Sequence, residues 1–214
     1  MAEKKNTNVT KSTKNTNGAD GLVYALKNKP VIATLVNEDD LDVILQSTAN
    51  IVFVLKGDIF TVEEVVGRIQ HAGKLVFVHF DMLDGIGKDR QGVRYLSERI
   101  GIDGIVTTKA AIIIEAKKLG LIAIHRLFVL DSVSLDNGMK MIRSSQPDAI
   151  EVLPGLVCAR IMDRLQASSN IPVIAGGLLL DMKDLETALA SGTIGISTSS
   201  KELWRWQDEL FVKD

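Results

Sequence analysis

The 214-residue sequence predicts a single-domain (β/α)8 barrel, a TIM barrel of the α/β class, on three observations. Eight short apolar, often β-branched runs alternate with eight segments of helical length, with no long polar interruption after residue 30. The apolar runs are continuous rather than alternating, as expected of parallel strands buried on both faces. Polar residues and glycines gather at one end of these runs, where a barrel builds its ligand site. An open doubly wound sheet also fits the alternation, but it usually needs fewer strands.

Taken in order, residues 1–20 (MAEKKNTNVTKSTKNTNGAD) are polar and offer almost nothing to bury. They read as a disordered tail, with the barrel domain over 21–214. A short helix is expected from about Gly21 to Asn28, ahead of Pro30. Strands are expected at VIATL (31–35), IVFVL (51–55), LVFVHF (75–80) and GIVTT (104–108). They continue at LIAIHRLF (121–128), AIEVL (149–153), IPVIAGG (171–177) and TIGIS (193–197). Each is too short for a typical helix. The segments between them, such as TVEEVVGRIQHAG and KAAIIIEAKKLG, are amphipathic. Several end at a glycine (Gly73, Gly101, Gly120, Gly192), the residue that most readily takes the left-handed conformation past a helix end. Several open on Thr or Asp, which suit an N-cap.

Composition narrows the function classes. Hydrophobic residues at 46% and charged residues at 24% are the balance of a soluble globular protein. No apolar run approaches the roughly 20 residues of a membrane span, and the N-terminus lacks the apolar core of a signal peptide. The expectation is a cytoplasmic protein with no membrane partner. One cysteine, Cys158, excludes an internal disulfide, and with three histidines no metal site is expected. Its setting, LVCA, suits a buried structural thiol. A formal net charge of −2 argues against binding nucleic acid by bulk electrostatics but leaves room for a local basic patch.

The chemistry should lie at the strand ends. Strand two ends with Lys56 and Asp58, strand three with His79, Asp81 and Asp84, strand four with Thr107, Thr108 and Lys109. The fifth ends with His125, Arg126 and Asp131, and the sixth with Glu151. His79 and Asp81 are two apart and so share a strand face; Lys56, Lys109, Arg126 and Glu151 join them at a polar mouth. A salt-bridged layer closing the core is the competing account. The seventh and eighth ends are more specific. Gly176 and Gly177 let a ligand oxygen approach the backbone, and Ser197, Thr198, Ser199 and Ser200 place donors at a helix N-terminus. Those two loops are the usual phosphate cradle of this fold. Ser199 and Glu202 also fit a capping box.

No GxSxG elbow, Walker loop or metal-ligand spacing is present. Asp81 and Glu151 have the chemistry of a general acid and base, but no spacing sets their separation. The residues alone therefore support a barrel for a small phosphorylated metabolite without naming a reaction. No catalytic set is assigned.

Several stretches carry a resemblance: GKLVFVHFDMLDGIGKD, DGIVTTK, HRLFVLDS, PDAIEVLPG, IPVIAGGLL and ISTSSKELW. Together they resemble the glycerol-3-phosphate-responsive antiterminator family over about residues 28–206. The resemblance implies a bacterial regulator rather than an enzyme. It implies glycerol 3-phosphate as effector, no cofactor, and leader mRNA of glycerol-utilisation genes as partner, protected from termination and stabilised. By position, the phosphate would sit on Gly176, Gly177, Thr198 and Ser199, and the glycerol hydroxyls among Asp81, Arg126 and Glu151.

No RNA-binding signature is present, so RNA contact requires a surface patch. Lys88, Arg90 and Arg94 open one helix, and Arg160 and Arg164 stand one turn apart on another. An ordinary solvated helix face explains each pair equally well. The basic tail (Lys4, Lys5, Lys11, Lys14) is a third candidate, and a homo-oligomer would double any of them. The competing function is a barrel enzyme on a phosphorylated substrate, an isomerase, aldolase or glycerol-phosphate transferase using Asp81 or Glu151. A glycerophosphodiesterase, suggested by His125-Arg126, lacks an evident cluster of acidic metal ligands.

Overall fold

A computed structural model describes residues 18–211. The chain closes an eight-stranded parallel barrel. The strands are β1 Val31–Leu35, β2 Ile51–Val54, β3 Leu75–His79, β4 Gly104–Thr107, β5 Ile122–Phe128, β6 Ala149–Leu153, β7 Val173–Gly176 and β8 Gly195–Thr198. The helices are α1 Ala19–Leu26, α2 Leu41–Gln46, α3 Val62–His71, α4 Arg90–Arg94, α5 Ala110–Lys118, α6 Ser132–Ser145, α7 Cys158–Ser168, α8 Met182–Ala190 and α9 Lys201–Phe211. A π-helical turn, Tyr95–Ile100, prolongs α4. Neighbouring strands are consecutive around the ring, and β8 closes on β1 through Val31–Ile196 and Ile32–Ser197. None of the helices among the described residues is long and apolar enough to cross a membrane.

The continuous apolar runs are explained by two separate cores. Alternate residues point inward, where Ile32, Phe53, Phe77, Val106, Ile124 and Ile174 fill the barrel. The other set, including Val31, Val52, Val76, Ile105, Ala123 and Val152, packs under the surrounding helices. Each strand is thus buried on both faces. Phe53 and Phe77 meet with ring centroids 5.6 Å apart. Phe77 can fill the interior because its register partner is Gly104: a Cβ there would stand 2.2 Å from the ring.

Two features differ from expectation. The short helix before Pro30 begins at Ala19, two residues inside the predicted tail, and it plugs the bottom of the barrel with Leu22, Ala25 and Leu26. The rest of the predicted tail, residues 1–17, lies outside the described residues. The final strand also runs one residue past TIGIS, so that Thr198 is a strand residue, buried like Ser197.

The mouth is held by short, capped connections. Asp89, Asp131 and Asp181 cap α4, α6 and α8, each carboxylate accepting from backbone N–H groups of the first turn. Gly73, Gly101, Gly120 and Gly192 all have the positive φ expected of helix ends. The last helix locks the closure. Trp204 Nε1 donates to Thr198 O at 2.9 Å, Gln207 Oε1 accepts from Val31 N at 2.8 Å, and Thr48 N donates to Asp208 Oδ1 at 2.6 Å.

Candidate ligand site at the barrel mouth

The register of β5 on β6 sets Arg126 directly beside Glu151, both on the inner face. Glu151 is fully buried, and Arg126 is almost so. Arg126 Nε donates to Glu151 Oε2 at 2.6 Å and Nη2 to Oε1 at 3.2 Å. Ser197 Oγ, from β8, donates to Oε1 at 2.5 Å. A buried carboxylate is tolerated only when it is paired and hydrogen-bonded, and here both oxygens are engaged. Gly176 on the intervening β7 makes room, since a Cβ there would lie 2.5 Å from Ser197 Oγ and 2.8 Å from Glu151 Oε1.

Above this polar floor opens a cavity of about 420 Å³. Its polar wall holds Gly177, Ser197, Thr198, Ser199 and Ser200, and Leu55, Leu153 and Leu178 are among its aliphatic lining. Gly177 has φ 70°, turning the chain sharply after β7. Ser200 precedes α9, and its Oγ accepts from Leu203 N at 3.5 Å, while its own N–H bonds Thr198 Oγ1 at 3.0 Å. The expected capping box of Ser199 with Glu202 is therefore corrected. The cap is Ser200, and the residue three positions on is Leu203, which has no side-chain acceptor to return the bond. Ser199 is left exposed at the rim.

Thr34 was not singled out from sequence. It lies on the inner face of β1, is 6% exposed, and lines the cavity. Its Oγ1 is buried without a hydrogen-bond partner among the described residues. The available signal was a lone hydroxyl in VIATL, two residues from the inward Ile32.

The other predicted mouth residues lie apart from this cavity lining. Strand β3 ends at His79, and a single 3-10 turn carries Asp81 over to β4. There Asp81 Oδ2 accepts from Thr107 Oγ1 and Thr108 N, both at 2.9 Å, and Lys109 Nζ stands 3.4 Å from Oδ1. Burial raises the Asp81 pKa, but these donors outweigh it and hold the carboxyl below its usual value. His79 faces inward, and its Nδ1 has no partner among the described residues. Burial, aided by the Arg126 guanidinium, lowers its pKa to about 4. His125 faces the helical layer, fully buried, with its pKa lowered by burial. Lys56 is exposed just beyond Leu55.

The candidate RNA residues are distributed unevenly. Lys88 turns its ammonium inward, donating to the carbonyls of Phe80 and Leu83. Arg90 lies 3.2 Å from Glu115, Arg94 2.9 Å from Glu98 and Arg164 2.8 Å from Asp136. Arg160 is exposed with no ion partner among the described residues. The basic tail lies outside the described residues. No group of three or more His, Cys, Asp or Glu among the described residues is arranged to hold a metal ion.

Residues 31–204 match the family described as glycerol-3-phosphate responsive antiterminator. The chain belongs to that family. A solved structure of the glycerol uptake operon antiterminator regulatory protein from Listeria monocytogenes is 34% identical. The match covers 83% of this chain and 96% of that one, with a TM-score of 0.80. A glycerol uptake operon antiterminator-related protein from Thermotoga maritima is 33% identical, covering 83% and 98%, with a TM-score of 0.75. The uncharacterized protein YgcP of Escherichia coli (strain K12) is 34% identical over 189 residues, which is 88% of this chain and 98% of YgcP. The antiterminator family match spans every barrel strand, so the mouth described above is inside it.

Proposed function

We propose that this antiterminator-family chain senses glycerol 3-phosphate in the barrel mouth and passes its occupancy to a leader mRNA of glycerol-utilisation genes. The observation that carries the reading is the cavity itself. A closed Arg126–Glu151–Ser197 floor lies beneath a wall built by the loops after β7 and β8, at the fold's usual phosphate position. The phosphate sits against Gly177, Ser199 and the N-terminus of α9, where backbone donors and the helix dipole favour an anion. The glycerol hydroxyls meet Thr34 Oγ1, which has no partner among the described residues, and the Arg126–Glu151 pair. Gly176 acts indirectly, by letting the floor form.

The same geometry favours a sensor over an enzyme. Both oxygens of Glu151 already accept hydrogen bonds, and Asp81 is held by donors from β4 outside this cavity lining. Neither carboxylate is poised to exchange a proton with a bound polyol phosphate. Ligand binding acts by favouring one arrangement of the mouth loops, which can shift the population only by its differential affinity.

Gel-shift titration of a leader transcript, with and without glycerol 3-phosphate, tests the regulator; an RNA affinity indifferent to ligand sinks it. Phosphorus NMR of glycerol 3-phosphate incubated with the protein should show unchanged substrate. Turnover would move the reading to the enzyme class.

A further inference from the structure

Six large apolar side chains stand in water on three adjacent strand-to-helix connections at the barrel mouth. Phe128, Leu130 and Val133 run from the end of β5 into the first turn of α6, Leu156 lies between β6 and α7, and Leu178 and Leu180 lie between β7 and α8. The connections are bonded side by side: Val129 N donates to Leu153 O at 2.8 Å, and Gly155 N to Gly177 O at 3.1 Å. Leu130, Leu178 and Leu180 are 84%, 71% and 69% exposed.

Packing within the chain does not account for these positions. Leu130 and Leu180 each precede an aspartate N-cap, where an apolar residue often closes onto the fourth residue of the helix. Those fourth residues, Leu135 and Leu185, are buried, yet both preceding leucines remain mostly in water. The same device fixes their backbone: Leu130 N donates to Ser134 Oγ at 2.9 Å and Leu180 N to Asp184 Oδ2 at 2.8 Å. Leu178 has φ 54°, a left-handed value that glycine takes freely and leucine seldom. A strained leucine kept in water points to a use outside its own chain.

Area and charge select the occupant. The six side chains expose on the order of 500 Å² of apolar surface, as much as the largest patch on an ordinary monomer. A standard interface buries roughly 800 Å² per partner, and about two-thirds of it is apolar in homodimers, so the patch supplies that share. The only charged residues in the three connections are Asp131 and Asp181, whose carboxylates accept from Ser134 N and Asp184 N at the start of their own helices. Exposed Arg160 and Lys183 follow in the first turns of α7 and α8, so both signs of charge border the patch. A second copy related by a twofold axis sets apolar surface against apolar surface and brings cations to face the two aspartates. Residues 1–17 hold Met1, Ala2 and Val9 as their only apolar side chains, too few to cover it.

We propose that this apolar rim over β5, β6 and β7 is the interface of a twofold homodimer. It borders the cavity at the barrel mouth, because Leu178 and Leu180 also line that cavity. The proposal stands whether or not the chain binds glycerol 3-phosphate or RNA.

The test is analytical ultracentrifugation of the full chain across the micromolar range, as wild type, Leu130→Glu, Leu180→Glu, Leu130→Met and Phe60→Ala. The wild type should sediment as a dimer. Each glutamate variant should weaken association at least about a hundredfold, tenfold from each copy, because a carboxylate is desolvated against apolar surface twice per dimer. Both should keep the far-ultraviolet circular dichroism of the wild type, since the replaced side chains are mostly exposed. Leu130→Met should remain dimeric. Phe60 is 90% exposed on the loop after β2, across the ring from β6, so Phe60→Ala should remain dimeric too. A wild type that is monomeric throughout would overturn the proposal. So would a dimer that survives both glutamate substitutions, or one that Phe60→Ala dissociates in their place, because the contact would then lie on another face.

Discussion

Ser197 bonds Glu151 at 2.5 Å although a whole strand, β7, runs between theirs. The contact passes over Gly176, whose missing side chain leaves the gap. The floor of the cavity at the barrel mouth therefore depends on a residue outside its lining.

Gly176→Ala should be destabilising, because its methyl would meet Ser197 Oγ and Glu151 Oε1 inside van der Waals distance. Overpacking of this kind costs about 1–3 kcal/mol. Urea unfolding would register it, and a wild-type midpoint would show that the floor tolerates rearrangement.

Arg126→Met should cost more, about 3–5 kcal/mol, because it strands the fully buried Glu151 with Ser197 as its remaining donor. The double variant Arg126→Met/Glu151→Met should recover much of that loss. A double-mutant cycle on unfolding free energies measures the coupling. Additive losses would mean the two side chains are independent.

Ser199→Asp separates ligand binding from stability. The side chain is exposed at the rim, so stability should move by no more than about 0.5 kcal/mol. A carboxylate there should repel a phosphomonoester and lower its affinity at least about tenfold, given the cost of like charges at one site. Unchanged affinity by calorimetry would remove the β8 loop from the phosphate site.

His79 predicts a pH dependence of stability. Its folded pKa is about 4, below the ordinary 6.5, so between those values the unfolded chain binds the extra proton. Its contribution is complete above pH 6.5 and is lost as pH falls from 6.5 towards 4. His125 is shifted in the same direction and adds to the effect. Asp81, lowered from 3.8, loses its contribution only at lower pH. His79→Gln should flatten part of the slope of urea midpoint against pH between 4 and 6.5. An unaltered slope would show that His79 finds a solvated or bonded alternative.

Cys158 should resist alkylation in the native state. Burial pushes its thiol up to about 12, so at pH 8 little thiolate forms and none is accessible. Iodoacetamide labelling followed by mass spectrometry should require urea; fast native labelling would contradict its burial at the start of α7.

How much of this could be read from the chain varies by residue. Arg126 and Glu151 were expected at the mouth and are paired there, because both sit within strands whose alternation is regular. The same two-residue rule does not reach Asp81, since β3 stops at His79 and the next residues form a 3-10 turn that sets its carboxylate against Thr107 and Thr108 at the end of β4. Serine spacing favoured Ser199 as the cap, yet backbone geometry makes Ser200 the cap by letting β8 run through Thr198. Basic pairs such as Arg90 and Arg164 looked free because their carboxylates, Glu115 and Asp136, are more than twenty positions away.

By itself the sequence determined the barrel, the end of the barrel where polar residues gather, and the family resemblance. Those follow from local periodicity and turn residues, which act over a few positions. Only the tertiary structure decided which polar groups meet: Ser197 with Glu151 over Gly176, Thr34 without a partner among the described residues, the turn at Phe60 held by Asp58 and Asp84. Those pairings depend on strand register and closure, which bring together residues that no spacing along the chain relates.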